Sequence, residues 1–81
     1  MNINYFVTSS SVTLFWDKPY DADENTLYEI FLDGKKYGET PKTHYTVKEL
    51  SPEQTLKVEV KSTVGCGALE VTVAKARRKI D

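Results

Sequence analysis

The sequence has one histidine, His44, which could act as a base, and one cysteine, Cys66, which could act as a nucleophile. Nucleophilic catalysis needs a nucleophile and a base on neighbouring elements. His44 begins a predicted strand and Cys66 lies between two glycines in a predicted turn, so we expect them at different ends or in different sheets. This favours a surface histidine and an incidental thiol, with a crosslink between two chains through an exposed Cys66 as the alternative.

Carboxylates cluster after the second predicted strand, where Asp21-x-Asp23-x-Asn25 resembles the opening of a calcium loop. The match then fails, because Thr26 stands where the sharp turn needs glycine and Leu32 where a bidentate glutamate is required. Zinc would need more cysteine and histidine than the chain has. We therefore predict an acidic solvated loop and no metal or other cofactor. The alternative is a weak calcium site formed by Asp17, Asp21, Asp23 and Glu24.

Paired carboxylates that cleave glycosides must face one cleft. Glu29, Glu59 and Glu70 instead fall on the outward positions of predicted strands. A domain this small is not expected to enclose a pocket of useful size. The sequence therefore predicts no catalytic residues and a chain that is not itself an enzyme.

Aromatic residues that do not fit the inward alternation, or that lie in loops, are the remaining candidates for contact. Exposed rings either stack on sugar faces or pack against a neighbouring domain, and we favour the second interpretation. The candidate contact residues for a ligand or a neighbouring domain are Phe15, Tyr20, Phe31 and Tyr37.

Strands, not helices, must position these residues. Val12, Leu14 and Trp16 alternate with polar or outward residues and the run stops before Pro19, which indicates a half-buried strand. Asp33-Gly34 between two extended segments predicts a two-residue hairpin. About seven short strands at roughly 8–12-residue spacing, without a convincing helix, predict an all-β antiparallel sandwich. The predicted core residues are Leu14, Trp16, Tyr28, Ile30, Tyr45, Val47, Val58 and Val60.

Length and composition are those of one small globular domain. The chain has 81 residues and a net charge of −1, which gives no case for nucleic acid as a partner. No apolar run is long enough for membrane insertion, the N-terminus lacks the features of a signal peptide, and one cysteine cannot form an internal disulfide. We predict a sandwich over residues 1–76 and a tail or linker stub over 77–81.

The order and spacing of these motifs resemble a fibronectin type III domain over nearly the whole chain. The resemblance rests on Val12-x-Leu14-x-Trp16-x-x-Pro19, Tyr28-x-Ile30, Leu32-Asp33-Gly34, Thr43-x-Tyr45-x-Val47-x-x-Leu50-x-Pro52 and Leu56-x-Val58-x-Val60-x-Ser62. It implies strands A, B and E in one sheet and C′, C, F and G in the other, so that Phe15 and Phe31 belong to different sheets. Leu56 departs from the family, which usually has a tyrosine that ties this corner to the backbone. We therefore expect a looser or differently capped corner.

The short hairpin and the lack of a disulfide resemble the fibronectin type III domains of bacterial extracellular enzymes that degrade polysaccharides. The resemblance implies a non-catalytic spacer, support or docking element within a larger secreted or cell-surface bacterial protein, with neighbouring domains of the same polypeptide as partners. A module that binds a polysaccharide or another protein through its exposed aromatics and loops is the alternative.

Overall fold

This computed structural model describes residues 2–75 of the chain. Within them, segments that alternate apolar and polar residues form seven strands. The strands in chain order are β1 (Ile3–Val7), β2 (Val12–Trp16), β3 (Tyr28–Leu32), β4 (Lys35–Thr40), β5 (His44–Val47), β6 (Thr55–Ser62) and β7 (Gly65–Thr72). Residues 2–75 contain no helix, and therefore none that could cross a membrane. The seven-stranded all-β prediction is confirmed. The predicted tail, 77–81, lies outside the described residues.

Two antiparallel sheets make the sandwich. One has the order β1–β2–β5 and the other β4–β3–β6–β7, which is the arrangement that the resemblance implied. Since successive side chains point to opposite faces of a sheet, every strand has an inner and an outer set. In β2 the inner set is Val12, Leu14 and Trp16, and all three are buried.

The core is apolar and is built by both sheets. Trp16 of β2 meets Tyr28 of β3 edge to face, with ring centroids 5.3 Å apart, and this contact joins the two sheets. The indole Nε1 is buried and has no hydrogen-bond partner within residues 2–75. All but one of the predicted core residues are buried. Tyr45 is half-buried, because it lies on the edge strand β5 and packs against the rim of the core.

The β3–β4 hairpin turns at Asp33 and Gly34, as predicted. Both have positive φ, 50° and 85°, which a type I′ turn requires. The turn is also fixed to β6: the Asp33 carboxylate accepts from the Lys57 N–H at 2.9 Å, and the Asp33 N–H donates to the Lys57 carbonyl at 2.8 Å.

A β-bulge lies just beyond this hairpin. Ile30 pairs with Gly38 but Phe31 pairs with Lys36, so Tyr37 is the extra residue of β4. Gly38 faces the opposite sheet closely: a Cβ at this position would overlap the hydroxyl oxygen of Tyr45 and lie 3.0 Å from its Cζ. The glycine therefore makes room for the Tyr45 ring between the edges of the two sheets.

The corner before β6 is capped without a tyrosine. Leu56 is buried in the core and makes no polar contact there. Instead, the Ser51 N–H donates to the side-chain oxygen of Gln54 at 2.9 Å, and the Gln54 N–H donates to the Ser51 carbonyl at 3.2 Å. Of the two expected outcomes, the structure shows the different cap.

The turn between β6 and β7 is shorter than predicted. The predicted turn, Val64-Gly65-Cys66-Gly67, is right for Val64 and wrong for the other three residues, because Gly65, Cys66 and Gly67 pair with β6 as the start of β7. Only Thr63 and Val64 connect the strands, and the Ser62 hydroxyl closes the turn by bonding to the Gly65 carbonyl at 2.8 Å.

Candidate functional site

The predicted aromatic contact residues do not form one site. Phe15 lies on the outer face of the three-stranded sheet and Phe31 on the outer face of the four-stranded sheet, as the resemblance implied. Phe15 is 42% exposed. Phe31 is half-buried, and the Lys61 ammonium lies 4.7 Å from its ring centroid. This cation–π contact occupies the face of Phe31 that a ligand would use.

The two predicted tyrosines lie apart from both faces. Tyr20 is 95% exposed in the loop after β2. Tyr37 is exposed at the β4 bulge and meets Tyr45 edge to face, with centroids 6.1 Å apart and ring planes at 86°. Tyr37 therefore belongs to the aromatic contact that closes one edge of the sandwich, with part of its ring left free.

Phe6, which is not among the predicted contact residues, lies on the same sheet face as Phe15, one cross-strand row away. Phe6 is 57% exposed and pairs with Thr13, two residues before Phe15 on β2, so both rings lie on the outer face of the three-stranded sheet. Its position opposite in parity to Ile3 and Val7 is the signal that could have revealed it. Tyr5, on the inward parity, is also exposed because β1 is an edge strand.

Charges dominate the outer face of the four-stranded sheet. The Lys36 ammonium lies 3.0 Å from Glu29 and 3.1 Å from Glu39. The hydrogen bonds that the Lys36 ammonium donates to Glu29 and, second in effect, to Glu39 raise the pKa of Lys36 above its ordinary value. These carboxylates line a surface groove of about 410 Å³, but both already bind the same ammonium group. The arrangement is an exposed ion-pair network.

The residues considered for nucleophilic chemistry lie in different sheets. His44 is on β5 of the three-stranded sheet, and Cys66 is exposed on β7 of the four-stranded sheet. The two residues therefore do not form a catalytic pair with each other.

The acidic loop after β2 uses one carboxylate internally. Asp23 accepts from the Asn25 N–H at 2.8 Å, and the Thr26 hydroxyl lies 3.0 Å from the Asp23 N–H, so the two side chains hold the turn. Within residues 2–75, no three side chains of the histidine, cysteine, aspartate or glutamate type come together as metal ligands. The calcium alternative therefore gains no support from the described geometry.

Comparison with solved structures decides the fold. The central fibronectin-III array of RIM-binding protein superposes with a TM-score of 0.77 at 14% identity, over 98% of this chain and 32% of that one. The structure of FN3tt superposes with a TM-score of 0.69 at 21% identity, over 94% of this chain and all of that one. This chain has the fibronectin type III fold. No family model matches the sequence.

One curated protein resembles the sequence of the domain directly. An α-amylase from Niallia circulans is 36% identical over 63 residues, which are 78% of this chain. The chain spans only 5% of that enzyme's length. The likeness thus connects this chain to a small segment of a much longer α-amylase.

Proposed function

We propose that this domain is a non-catalytic accessory module of a larger, secreted bacterial carbohydrate-active enzyme, in which it separates, supports or docks neighbouring domains. The observation that carries the proposal is the similarity of 63 residues to 5% of the length of an α-amylase. A segment of this size cannot hold the catalytic apparatus of such an enzyme, so a supporting role is the simplest assignment.

The path of the chain suits a spacer. Asn2 lies beside Val64 and Gly65 at one end of the sandwich, where together they line a surface pocket of about 270 Å³. At the other end, the Ala74 N–H donates to the Thr8 carbonyl at 3.1 Å. The polypeptide therefore enters at one end and leaves at the other. Since β7 has eight residues, the two ends lie roughly 25–30 Å apart.

Tyr20 is the side chain best placed for docking to a preceding domain. It is almost fully exposed and follows Pro19, which lines the same pocket as Asn2 at the entry end of the sandwich. A large exposed ring beside the incoming chain supports an interdomain contact, because such rings are enriched where proteins touch.

The proposal is tested by tagging the gene in its source cell and blotting both the cells and the medium for the tag. We expect a band far larger than 9.2 kDa, with the larger part in the medium. A free species of 9.2 kDa would refute the accessory role. Turnover of soluble starch or another glycan by the purified 81-residue chain would refute its non-catalytic assignment.

A further inference from the structure

The outer face of the three-stranded sheet carries two rows of side chains that run across the strands. Asn4, Phe15 and His44 form one row through direct cross-strand pairing. Phe6, Thr13 and Thr46 form the second row. The rows are two residues apart along β2, a separation of about 7 Å. Each row therefore presents one phenylalanine ring beside two polar side chains, and we call these six residues the Phe6–Phe15 face.

Both rings on this face are open to solvent and need an explanation. Phe6 is more than half exposed and Phe15 nearly half exposed, so neither ring contributes fully to the core. In contrast to Phe31, neither ring lies under a cation among the described residues. Exposed rings that share one face mark a contact surface more strongly than rings scattered singly.

The six residues of the face are rich in hydrogen-bonding groups. The six residues supply an amide, an imidazole and two hydroxyls, and include no aspartate, glutamate, lysine or arginine. The hydroxyls of Thr13 and Thr46 bond to each other at 3.1 Å, which fixes their positions and leaves each with remaining bonding capacity. The opposite sheet differs, since ion pairs of Lys36 and Lys61 cover its outer face. Charge complementarity therefore favours an uncharged ligand for the Phe6–Phe15 face.

The size of the face also limits its occupant. The two rows lie about 7 Å apart and three strands span roughly 10 Å, so the backbone area beneath the face is on the order of 100 Å². A stable protein–protein interface needs about 800 Å² from each partner. The face is thus too small for a second protein to be held by it alone, whereas a sugar chain can lie along it and bring its ring faces onto phenylalanine.

We propose that the Phe6–Phe15 face binds an uncharged polysaccharide. The two rings stack on sugar rings, and Asn4, His44 and the threonine pair exchange hydrogen bonds with sugar hydroxyls. The inference extends the proposed function, on which it rests for the choice of starch as a probe: an accessory module that holds polysaccharide keeps the parent enzyme near its substrate.

The test uses the 81-residue chain in native gels that contain soluble starch or hydroxyethyl cellulose. Threonine replaces each ring, because threonine suits an outward strand position and should preserve the fold. We expect at least one polysaccharide to retard the wild-type chain, and Phe6→Thr and Phe15→Thr each to raise the dissociation constant about tenfold, or about 1.4 kcal/mol. The double variant should migrate as it does in a gel without polysaccharide. Thermal unfolding confirms that each variant is folded.

Leu27→Thr is the matched control, since it removes an exposed apolar side chain that lies in neither row of the face and should leave retardation unchanged. Absence of retardation of the wild-type chain by both polysaccharides would overturn the proposal, as would undiminished retardation of the double variant. Two other occupants are tested directly. A dimer in sedimentation that dissociates in the double variant would assign the face to a second copy. Oxidative labelling that finds both rings protected in the ligand-free parent protein would assign it to a neighbouring domain.

These results are separate from the fate of the proposed function. Binding by the isolated chain is measured without the parent protein, whereas the accessory role depends on the size of the native polypeptide. If the parent is large and secreted but the domain binds neither polysaccharide, the accessory role stands as that of a spacer and the binding proposal is refuted. A free 9.2 kDa protein that binds polysaccharide through Phe6 and Phe15 leaves a stand-alone binding protein.

Discussion

We predict that position 38 requires glycine because it lies so close to the Tyr45 ring. In Gly38→Ala the new Cβ overlaps the Tyr45 hydroxyl and lies 3.0 Å from its Cζ. Overpacking of this kind costs about 1–3 kcal/mol, and replacing glycine within a strand returns roughly 0.5–1 kcal/mol. We therefore expect a net loss of about 1 kcal/mol in the free energy of unfolding, which lowers Tm by roughly 4–8 °C in a domain of this size.

A double-mutant cycle isolates this contact. Tyr45→Phe removes the overlapping oxygen, so Gly38→Ala should cost less in the Tyr45→Phe background, with a coupling energy of about 0.5–2 kcal/mol. Urea denaturation followed by Trp16 fluorescence measures all four variants. Gly34→Ala is the matched control. Its Cβ would meet no atom within 4 Å, but its φ of 85° strains any other residue, so its cost should be the same in both backgrounds.

The reasoning is refuted if Gly38→Ala stabilises the wild-type domain, or if its cost is equal with tyrosine and phenylalanine at position 45. Either result would mean that the two sheet edges separate freely. A Gly34→Ala cost that also depends on Tyr45 would show that the coupling is a general property of β4 and not of this contact.

Substitutions at three further positions test the core, the corner and the ion pairs. Trp16→Ala should cost about 3–5 kcal/mol in calorimetric or urea unfolding, and Trp16→Phe much less, because the indole N–H donates no hydrogen bond within residues 2–75; equal losses would contradict the packing argument. Gln54→Ala removes the acceptor of the Ser51 N–H and should cost about 1 kcal/mol in urea unfolding; a neutral result would mean that the cap is dispensable. Because the pKa of Lys36 is raised in the folded state, its ion pairs stabilise the fold fully below the unfolded value of 10.5, and this stabilisation disappears as the pH rises through the folded pKa. Lys36→Met should therefore reduce the fall in Tm above pH 10.5. Identical profiles of Tm against pH for the variant and the wild-type domain would refute this.

The sequence was sufficient for the fold because burial in a sheet has a period of two residues. Val12, Leu14 and Trp16 follow that period without interruption. Asp33-Gly34 specifies a turn that few other residues allow. Both signals are local. The glycines at 65 and 67 favour a turn locally, but pairing with β6 determines the conformation of residues 65–67, and this pairing is not a local signal.

The candidate site was harder to predict because it depends on which residues of different strands lie side by side. The parity of Phe6 indicates an outward ring, but only the register of β1 on β2 places it next to Phe15. Parity likewise cannot show that Lys61 covers Phe31, or that Tyr37 is the extra residue of a bulge. The four rings chosen from the sequence look equivalent there, and the structure gives each a different environment.

The entry and exit of the chain at opposite ends also determine how the domain bears mechanical load. If the two ends of the domain are pulled apart, the force enters along β1 and leaves along β7. The ladders of β1 on β2 and of β7 on β6 have hydrogen bonds perpendicular to the strands, so this force shears whole ladders at once and does not peel them open bond by bond. The module should therefore behave as a stiff link that yields abruptly under tension.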